Sequence, residues 1–378
     1  MSTSGLHARN ASWFSVVTFK EHAMHRRLRW FDWKEVVLAG ACAGVLLAAF
    51  GGWERTASSG AMPVPAAAQG VQMTTDEHGA TIKIGGQLFT RYRIDAGPKP
   101  YCWPVIGPTG LPVTRAFPME KVEGEKQDHP HQRSWWFTHG NVNGIDFWAE
   151  TPESGRIVHR EFLAAESGSD AGRLKTRNDW LTPKGQKVCE DVRELIVHAE
   201  GSRALSALGS SPSARLADFS VTLKATESPV TFGDTKEGMM GFRVASSMDV
   251  DAKQGGRIVN SRGQTDELEA GKDRQKHAWG KPAEWVDYYG PVGGDVLGIA
   301  VLNHPSSFRF PTHWHVREYG LFAANPFGLH DFTGSDQVNG SHTIPKGESI
   351  TFRYRIYIHK GDTEEAKVAE VYRAYAAD

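Results

Sequence analysis

The stretch Ser349-Ile350-Thr351-Phe352-Arg353-Tyr354-Arg355-Ile356-Tyr357-Ile358-His359 alternates with a period of two over its whole length. Ile350, Phe352, Tyr354, Ile356 and Ile358 fall on one side of an extended chain, with Thr351, Arg353, Arg355, Tyr357 and His359 on the other. That is the pattern of a strand with one face in a core and one turned outward. Shorter runs of the same kind occupy 81–84, 88–94, 157–162, 195–199, 219–223, 242–246, 296–302 and 316–322. Gly, Pro and Asn breaks separate them and helical periodicity between them is scarce. The chain therefore predicts an all-β body, one large antiparallel β-sandwich in place of βαβ units. A single helix is predicted at 363–376. Asp362 caps it with Glu365 at the third helical position, and Val368, Val371, Tyr372 and Tyr375 form a narrow apolar stripe to lie on a sheet. Segments 201–216 and 252–276 read as polar insertions. With no internal repeat and no dividing linker, residues 72–378 are read as one β-sandwich domain.

Composition agrees with this reading and excludes several functions. The 378 residues include 40 Gly, 19 Pro and 12 Trp, which suits short strands joined by tight turns. Lys and Arg total 43 against 44 Asp and Glu, so no basic excess exists to hold a polynucleotide. Only the segment 36–50 approaches the length of a membrane span, and mean hydropathy is −0.42, which excludes a polytopic membrane protein. Arg26, Arg27, Arg29 and Lys34 precede that segment and a Pro/Ala-rich spacer follows it. Residues 1–70 are accordingly read as an export leader or signal anchor, with the body outside the cytoplasm, periplasmic, and membrane contact confined to this segment. In the exported body Cys102 and Cys189 remain. They lack ligand-like spacing, and a bridge and two separate buried thiols both stay open.

Histidine and aromatic clusters mark where chemistry is expected. The densest is Asp128-His129-Pro130-His131-Gln132-Arg133-Ser134-Trp135-Trp136-Phe137-Thr138-His139-Gly140. His129 and His131, two apart, share a face on extended chain, and such a pair suits proton transfer or the ligation of one metal ion. Thr312-His313-Trp314-His315-Val316-Arg317 repeats the pattern, with His313, His315 and Arg317 on the face opposite Trp314; the competing reading is a solvated outer face. Phe232-Gly233-Asp234-Thr235-Lys236-Glu237-Gly238 presents two carboxylates in a Gly-bounded loop. His277-Ala278-Trp279-Gly280-Lys281 and Trp285-Val286-Asp287-Tyr288-Tyr289 have the composition of a saccharide platform, or of a sandwich core. Asn325-Pro326 marks a turn. No Gly-x-Ser-x-Gly elbow, phosphate-binding loop, dinucleotide fingerprint or His-Glu-x-x-His helix is present.

These motifs, together with Tyr101-Cys102-Trp103-Pro104-Val105-Ile106-Gly107-Pro108, His139-Gly140-Asn141-Val142-Asn143-Gly144 and the run 319–328, resemble a bacterial family catalogued as PmoA-like, across residues 80–360. The resemblance implies a β-supersandwich similar to that of galactose mutarotases, in mostly exported proteins. The methane-oxidation name does not suit the chain, because a membrane oxygenase subunit needs many spanning helices. Kinship with mutarotase-like folds implies instead a sugar held on a concave sheet and acted on by a His acid and a carboxylate base. The resemblance assigns no catalytic residues, so roles follow from side-chain chemistry. His131 and His315 are the expected proton-transfer groups, with Glu237 as carboxylate partner and His129 and Asp287 as further acid/base groups. Arg133 and Arg317 would anchor an oxyanion or carboxylate, and Trp135 and Trp279 would stack on the ring. His139, Lys281, Tyr288, His313 and Asn325 complete the expected substrate contacts. The leading expectation needs no cofactor and takes a saccharide or small sugar derivative as partner. One alternative places a divalent metal on His129, His131, His313 and His315 with Asp128. Another is a non-catalytic carbohydrate-binding or envelope module.

Overall fold

A computed structural model describes residues 70–209 and 213–378; the leader expected in the N-terminal segment lies outside the described residues. In chain order the strands are β1 (Val71–Asp76), β2 (Gly79–Ile84), β3 (Gln87–Arg93), β4 (Tyr101–Val105), β5 (Trp135–His139) and β6 (Arg156–Glu166). There follow β7 (Ala171–Leu181), β8 (Lys187–His198), β9 (Ala214–Lys224), β10 (Val230–Phe232), β11 (Gly238–Arg243) and β12 (Arg257–Asn260). The last are β13 (Trp285–Val292), β14 (Asp295–Asn303), β15 (His313–Val316), β16 (Leu321–Asn325), β17 (His342–Ile344) and β18 (Ser349–Lys360). Two eight-stranded sheets carry the body. The first has the order β1-β2-β3-β4-β5-β11-β16-β15 and the second β12-β13-β14-β18-β9-β8-β7-β6, while β10 and β17 form a separate pair. Strands within each sheet pair antiparallel. The fold is the antiparallel all-β sandwich that the alternating runs predict.

β18 lies inside the second sheet between β14 and β9. Phe352, Tyr354, Ile356 and Ile358 point into the core as expected. They meet the first sheet there: Phe137 packs 6.0 Å from Phe352 and 6.4 Å from Trp180, and Trp135 packs 5.2 Å from Phe219. One charged pair bridges the layers. Arg193 and Asp191, both on β8 and both buried, join through two hydrogen bonds of 3.0 and 2.9 Å, and Arg193 also donates to the carbonyls of Pro100 and Phe137 on the first sheet's side. Asp191 accepts further bonds from Asn178 and Trp180. A buried ion pair is tolerated when its remaining polar atoms are partnered in this way. Cys102 and Cys189 are free thiols buried in the core.

The other face of β18 is less open than the alternation predicts. Arg355, Tyr357 and His359 are buried, because the C-terminal helix, Val368–Ala376, lies on that side with Val368, Val371 and Tyr375 turned inward. The helix is shorter than the predicted 363–376. Asp362 and Glu365 do exchange the reciprocal capping bonds, but Lys367 adopts a left-handed φ of 52°, which separates the capped turn from the helix proper. The run 316–322 is also not one strand: Arg317 to Gly320 turn the chain from β15 into β16. Short helical turns at Arg203–Ser206 and Glu267–Ala270 fall within the two segments read as polar insertions, and a third lies at Leu329–Thr333. Among the described residues no helix is long and apolar enough to cross a membrane.

Trp314, fully buried, packs 5.8 Å from Phe322 and donates from its indole nitrogen to the Ala283 carbonyl at 2.9 Å. Trp314→Ala is expected to lower stability by about 3–5 kcal/mol in chemical denaturation, the cost of emptying a large core site.

Candidate functional site

Pairing in the first sheet places Trp136, Gly241, Ala323 and His315 in one row across β5, β11, β16 and β15. Directly opposed residues of an antiparallel ladder share a face, so these four lie on the side away from the core, about 14 Å from end to end at ordinary strand spacing. Gly241 is required there. A Cβ at that position would sit 2.8 Å from the Trp136 indole, which crosses it. The C-terminal helix covers the β13-β14-β18-β9 part of the second sheet's outer side, and two loops build on this outer face of the first sheet.

The first loop is Phe232–Gly238. Its carbonyls lie over the sheet and need donors. His139 Nε2 bonds the Gly233 carbonyl at 2.8 Å, Asn325 Nδ2 donates to Thr235 at 2.9 Å, and His315 Nδ1 bonds Lys236 at 2.8 Å. The Asp331 carboxylate accepts the Lys236 N–H, and Asp234 accepts the N–H groups of His330 and Gly340. This pinning presents Lys236 and Glu237, each about one-third or more exposed, at the surface. Burial raises the Glu237 carboxyl above the ordinary carboxylate range, more than Lys236 lowers it.

A carbonyl oxygen only accepts, so the His315 bond to Lys236 fixes the proton on Nδ1 and leaves the Nε2 lone pair facing no partner among the described residues. Burial pushes His315 down to about 3, and the ring is neutral at physiological pH. Around it stand Trp279 at 6.5 Å and Phe332 at 6.3 Å, while His313 stacks on Phe332 at 6.0 Å. Arg317 lies over Trp279 at 5.8 Å and over Tyr319 at 5.9 Å.

The second loop carries Asp128 to Arg133. Asp128 is its anchor, accepting from the buried guanidiniums of Arg115 and Arg243. Arg115 also donates to the His129 carbonyl and Arg243 to Gln132. Held this way, His129 takes a left-handed φ of 44° and stacks on Tyr319 at 5.0 Å. His131 lies 5.7 Å from His129 and 6.1 Å from Trp148. Burial, with Lys99 and His129 adding to it, lowers His131 to about 4. Arg133 forks onto Glu150 through bonds of 2.9 and 2.7 Å, and Lys99 joins the same carboxylate.

His131, His129, Arg317, Trp279, His315, Glu237 and His313 therefore border one face, with Tyr319 between the two loops. Seven expected site residues stand elsewhere, are enclosed or are otherwise engaged. Trp135 and His139 have the parity of Phe137 and point into the core, where Trp135 stacks on Phe242 and His139 packs on Phe327. Asp287 and Tyr288 belong to β13 of the second sheet. Asp287 is fully buried between His359 and Thr363, and Tyr288 bonds the carbonyls of Arg317 and Glu318 from inside. Asn325 is buried beneath the loop that it pins. Arg133 is committed to Glu150, and Lys281 is half-buried beyond the β15 edge. Of the four histidines of the metal alternative, His129 and His131 lie on the second loop and His313 and His315 on β15; Asp128 is bound by two arginines, and among the described residues no three His, Cys, Asp or Glu side chains assemble as a ligand set. Tyr319, Phe332, Arg115 and Arg243 escaped the sequence reading. A lone Arg within the apolar run Gly238–Arg243 was the available signal for the last.

Residues 79–373 match a family of unknown function (DUF6807), and the chain belongs to that family; the matched family does not carry the PmoA-like name that the motifs suggested. No curated protein matches the sequence. Among solved structures, an α-galactosidase from Lactobacillus brevis is similar over 78% of this chain and 40% of its own, at 10% identity and a TM-score of 0.36. The chain thus spans less than half of that enzyme. A galactose mutarotase-like protein from Clostridium acetobutylicum is similar over 76% of this chain and 95% of its own, at 10% identity and a TM-score of 0.31. A putative aldose 1-epimerase from Escherichia coli K12 is similar over 77% and 99%, at 12% identity and a TM-score of 0.29. Likeness this slight assigns no activity.

The Asp128 anchor makes an acid-stability prediction. Against the upward push of burial, Arg243 and Arg115 hold its carboxyl at about 2, below the ordinary 3.8. A depressed carboxylate stabilises the fold above its unfolded pKa, and that contribution is lost as pH falls from about 4 through about 2. Asp128→Asn is expected to cost about 1–3 kcal/mol at pH 7. In urea titrations across pH, the gap between variant and parent is expected to narrow below pH 4 and close near pH 2.

Proposed function

We propose that the protein binds a saccharide or sugar derivative on the outer face of the first sheet and acts on it by general acid/base catalysis, with side chains alone. The observation that carries this reading is His315, whose Nδ1 is tied to the loop bearing Glu237 while its neutral Nε2 stands unpartnered beside Trp279. An aromatic ring offers its face to the C–H side of a sugar, and convergent His, Arg and carboxylate groups meet the hydroxyls. In this arrangement His315 Nε2 accepts the proton of a substrate hydroxyl and Glu237, whose carboxyl holds its proton more firmly than usual, is the acid. Arg317 steadies developing negative charge, and His131 with His129 lines the far end of the bound chain.

The low proton affinity of His131 and His315 favours a second reading, a non-catalytic carbohydrate-binding module in which these rings only accept hydrogen bonds. Product analysis with a saccharide panel separates the two. Turnover is expected for the parent protein; binding without turnover selects the second reading. His315→Asn keeps a donor in the place of Nδ1 and removes Nε2. It is expected to retain the fold and bind within about threefold, yet lose at least about 100-fold in turnover, the ordinary worth of a positioned proton-transfer group.

Export of the body belongs to the same proposal, supported by the basic residues 26–34 ahead of the apolar segment 36–50. Cell fractionation is expected to find the chain in the envelope; full-length protein soluble in the cytoplasm contradicts it.

A further inference from the structure

Trp279 and Arg317 line one side of an open cleft of about 440 Å³, walled on its far side by the loop between β12 and β13. Lys272 and Arg274 line it, and neither forms an ion pair among the described residues. Asp273, between them in sequence, is engaged by Lys276 instead. The guanidinium of Arg317, the third cation, lies over the faces of Trp279 and Tyr319 and forms no ion pair among the described residues. The carboxylates of the same cavity are largely engaged. Asp266 accepts the N–H groups of Ile258 and Glu269, and Glu318 accepts the N–H of Glu267 at 2.5 Å. Glu267 is the third carboxylate of the lining, and among the described residues none of the three cations forms an ion pair with it, with Asp266 or with Glu318.

Cations left unpaired around a concave space next to a stacking ring are the means of recognising a planar or tetrahedral anion attached to a ring. A guanidinium does this with two parallel hydrogen bonds, and an ammonium adds a point charge. The volume is that of a small-ligand pocket. We infer that this cavity is the subsite for the acidic substituent, carboxylate or sulfate, of a saccharide whose ring lies on Trp279. The inference rests on the saccharide reading above and narrows it to acidic saccharides.

Calorimetric titration with matched pairs tests it. The probes are oligogalacturonate and its carboxyl-reduced form, and a sulfated galactan oligosaccharide and its desulfated form, each at low and high salt. The parent protein is expected to bind at least one acidic member about tenfold or more tighter than its neutral partner, with the difference shrinking in salt. Lys272→Gln combined with Arg274→Gln is expected to abolish that preference while leaving neutral-sugar affinity and the unfolding temperature unchanged, since both side chains are exposed. Lys272→Arg combined with Arg274→Lys is expected to keep it. Equal affinity within both pairs, or a preference that survives the double Gln variant, overturns the acidic subsite and leaves the saccharide reading standing. Failure to bind any of the four overturns both, and which pair shows the preference tells carboxylate from sulfate.

Discussion

Three side chains that donate to the backbone of a single loop set the geometry on which the candidate site depends. His139, Asn325 and His315 come from β5, β16 and β15, and they meet the carbonyls of Gly233, Thr235 and Lys236. Without those donors the loop would lay unsatisfied carbonyls over a buried surface, at a cost of about 1–3 kcal/mol for each. The same bonds decide the tautomer of His315 and the placement of Lys236 and Glu237. A structural requirement of the loop thus produces the chemical polarity of the site. The second loop works by the same logic with charge: Asp128 between Arg115 and Arg243 holds a backbone that presents His129 and His131.

The two sheets divide the labour. Both bury one face in the common core, but the outer face of the second is covered over β13, β14, β18 and β9 by the C-terminal helix and its apolar stripe, whereas that of the first is overlaid by polar loops with aromatic rings among them. Neighbouring elements set which histidines keep an open nitrogen. His359, fully buried under the helix region, bonds Asp287, and His139 bonds a carbonyl inside the core. His315 has one nitrogen engaged and one open, the state that a hydrogen-bond acceptor or proton carrier needs.

Much of this was legible in the sequence, and the limits are physical. The period of two in Ser349–Lys360 located a strand and its core face, and the alternation around Trp314 put that ring in the core and His315 on the opposite face of the strand. Alternation fixes two faces but does not say what covers the outer one, so Arg355 and Tyr357 read as solvated when a helix lies over them. In Trp135-Trp136 both parities carry the same residue type, and only the pairing of β5 with β11 shows that Trp136 holds the outer face and Trp135 the core. β7 went unseen because its inward positions include Thr176 and Asn178, polar groups buried close to Asp191. Asp287 and Tyr288 have the composition of a sugar platform, but their strand pairs into the second sheet, a long-range fact that local residue types do not encode.

The central claim is that ligand chemistry takes place on the outer face of the first sheet around His315. A crystal structure of the full chain with a bound saccharide tests it most directly. The expected result is a sugar ring against Trp279 with a hydroxyl in hydrogen-bond reach of His315 Nε2 and another near Glu237. A ligand seated instead on the second sheet, in the groove between Trp285, Tyr289 and the C-terminal helix, would contradict it.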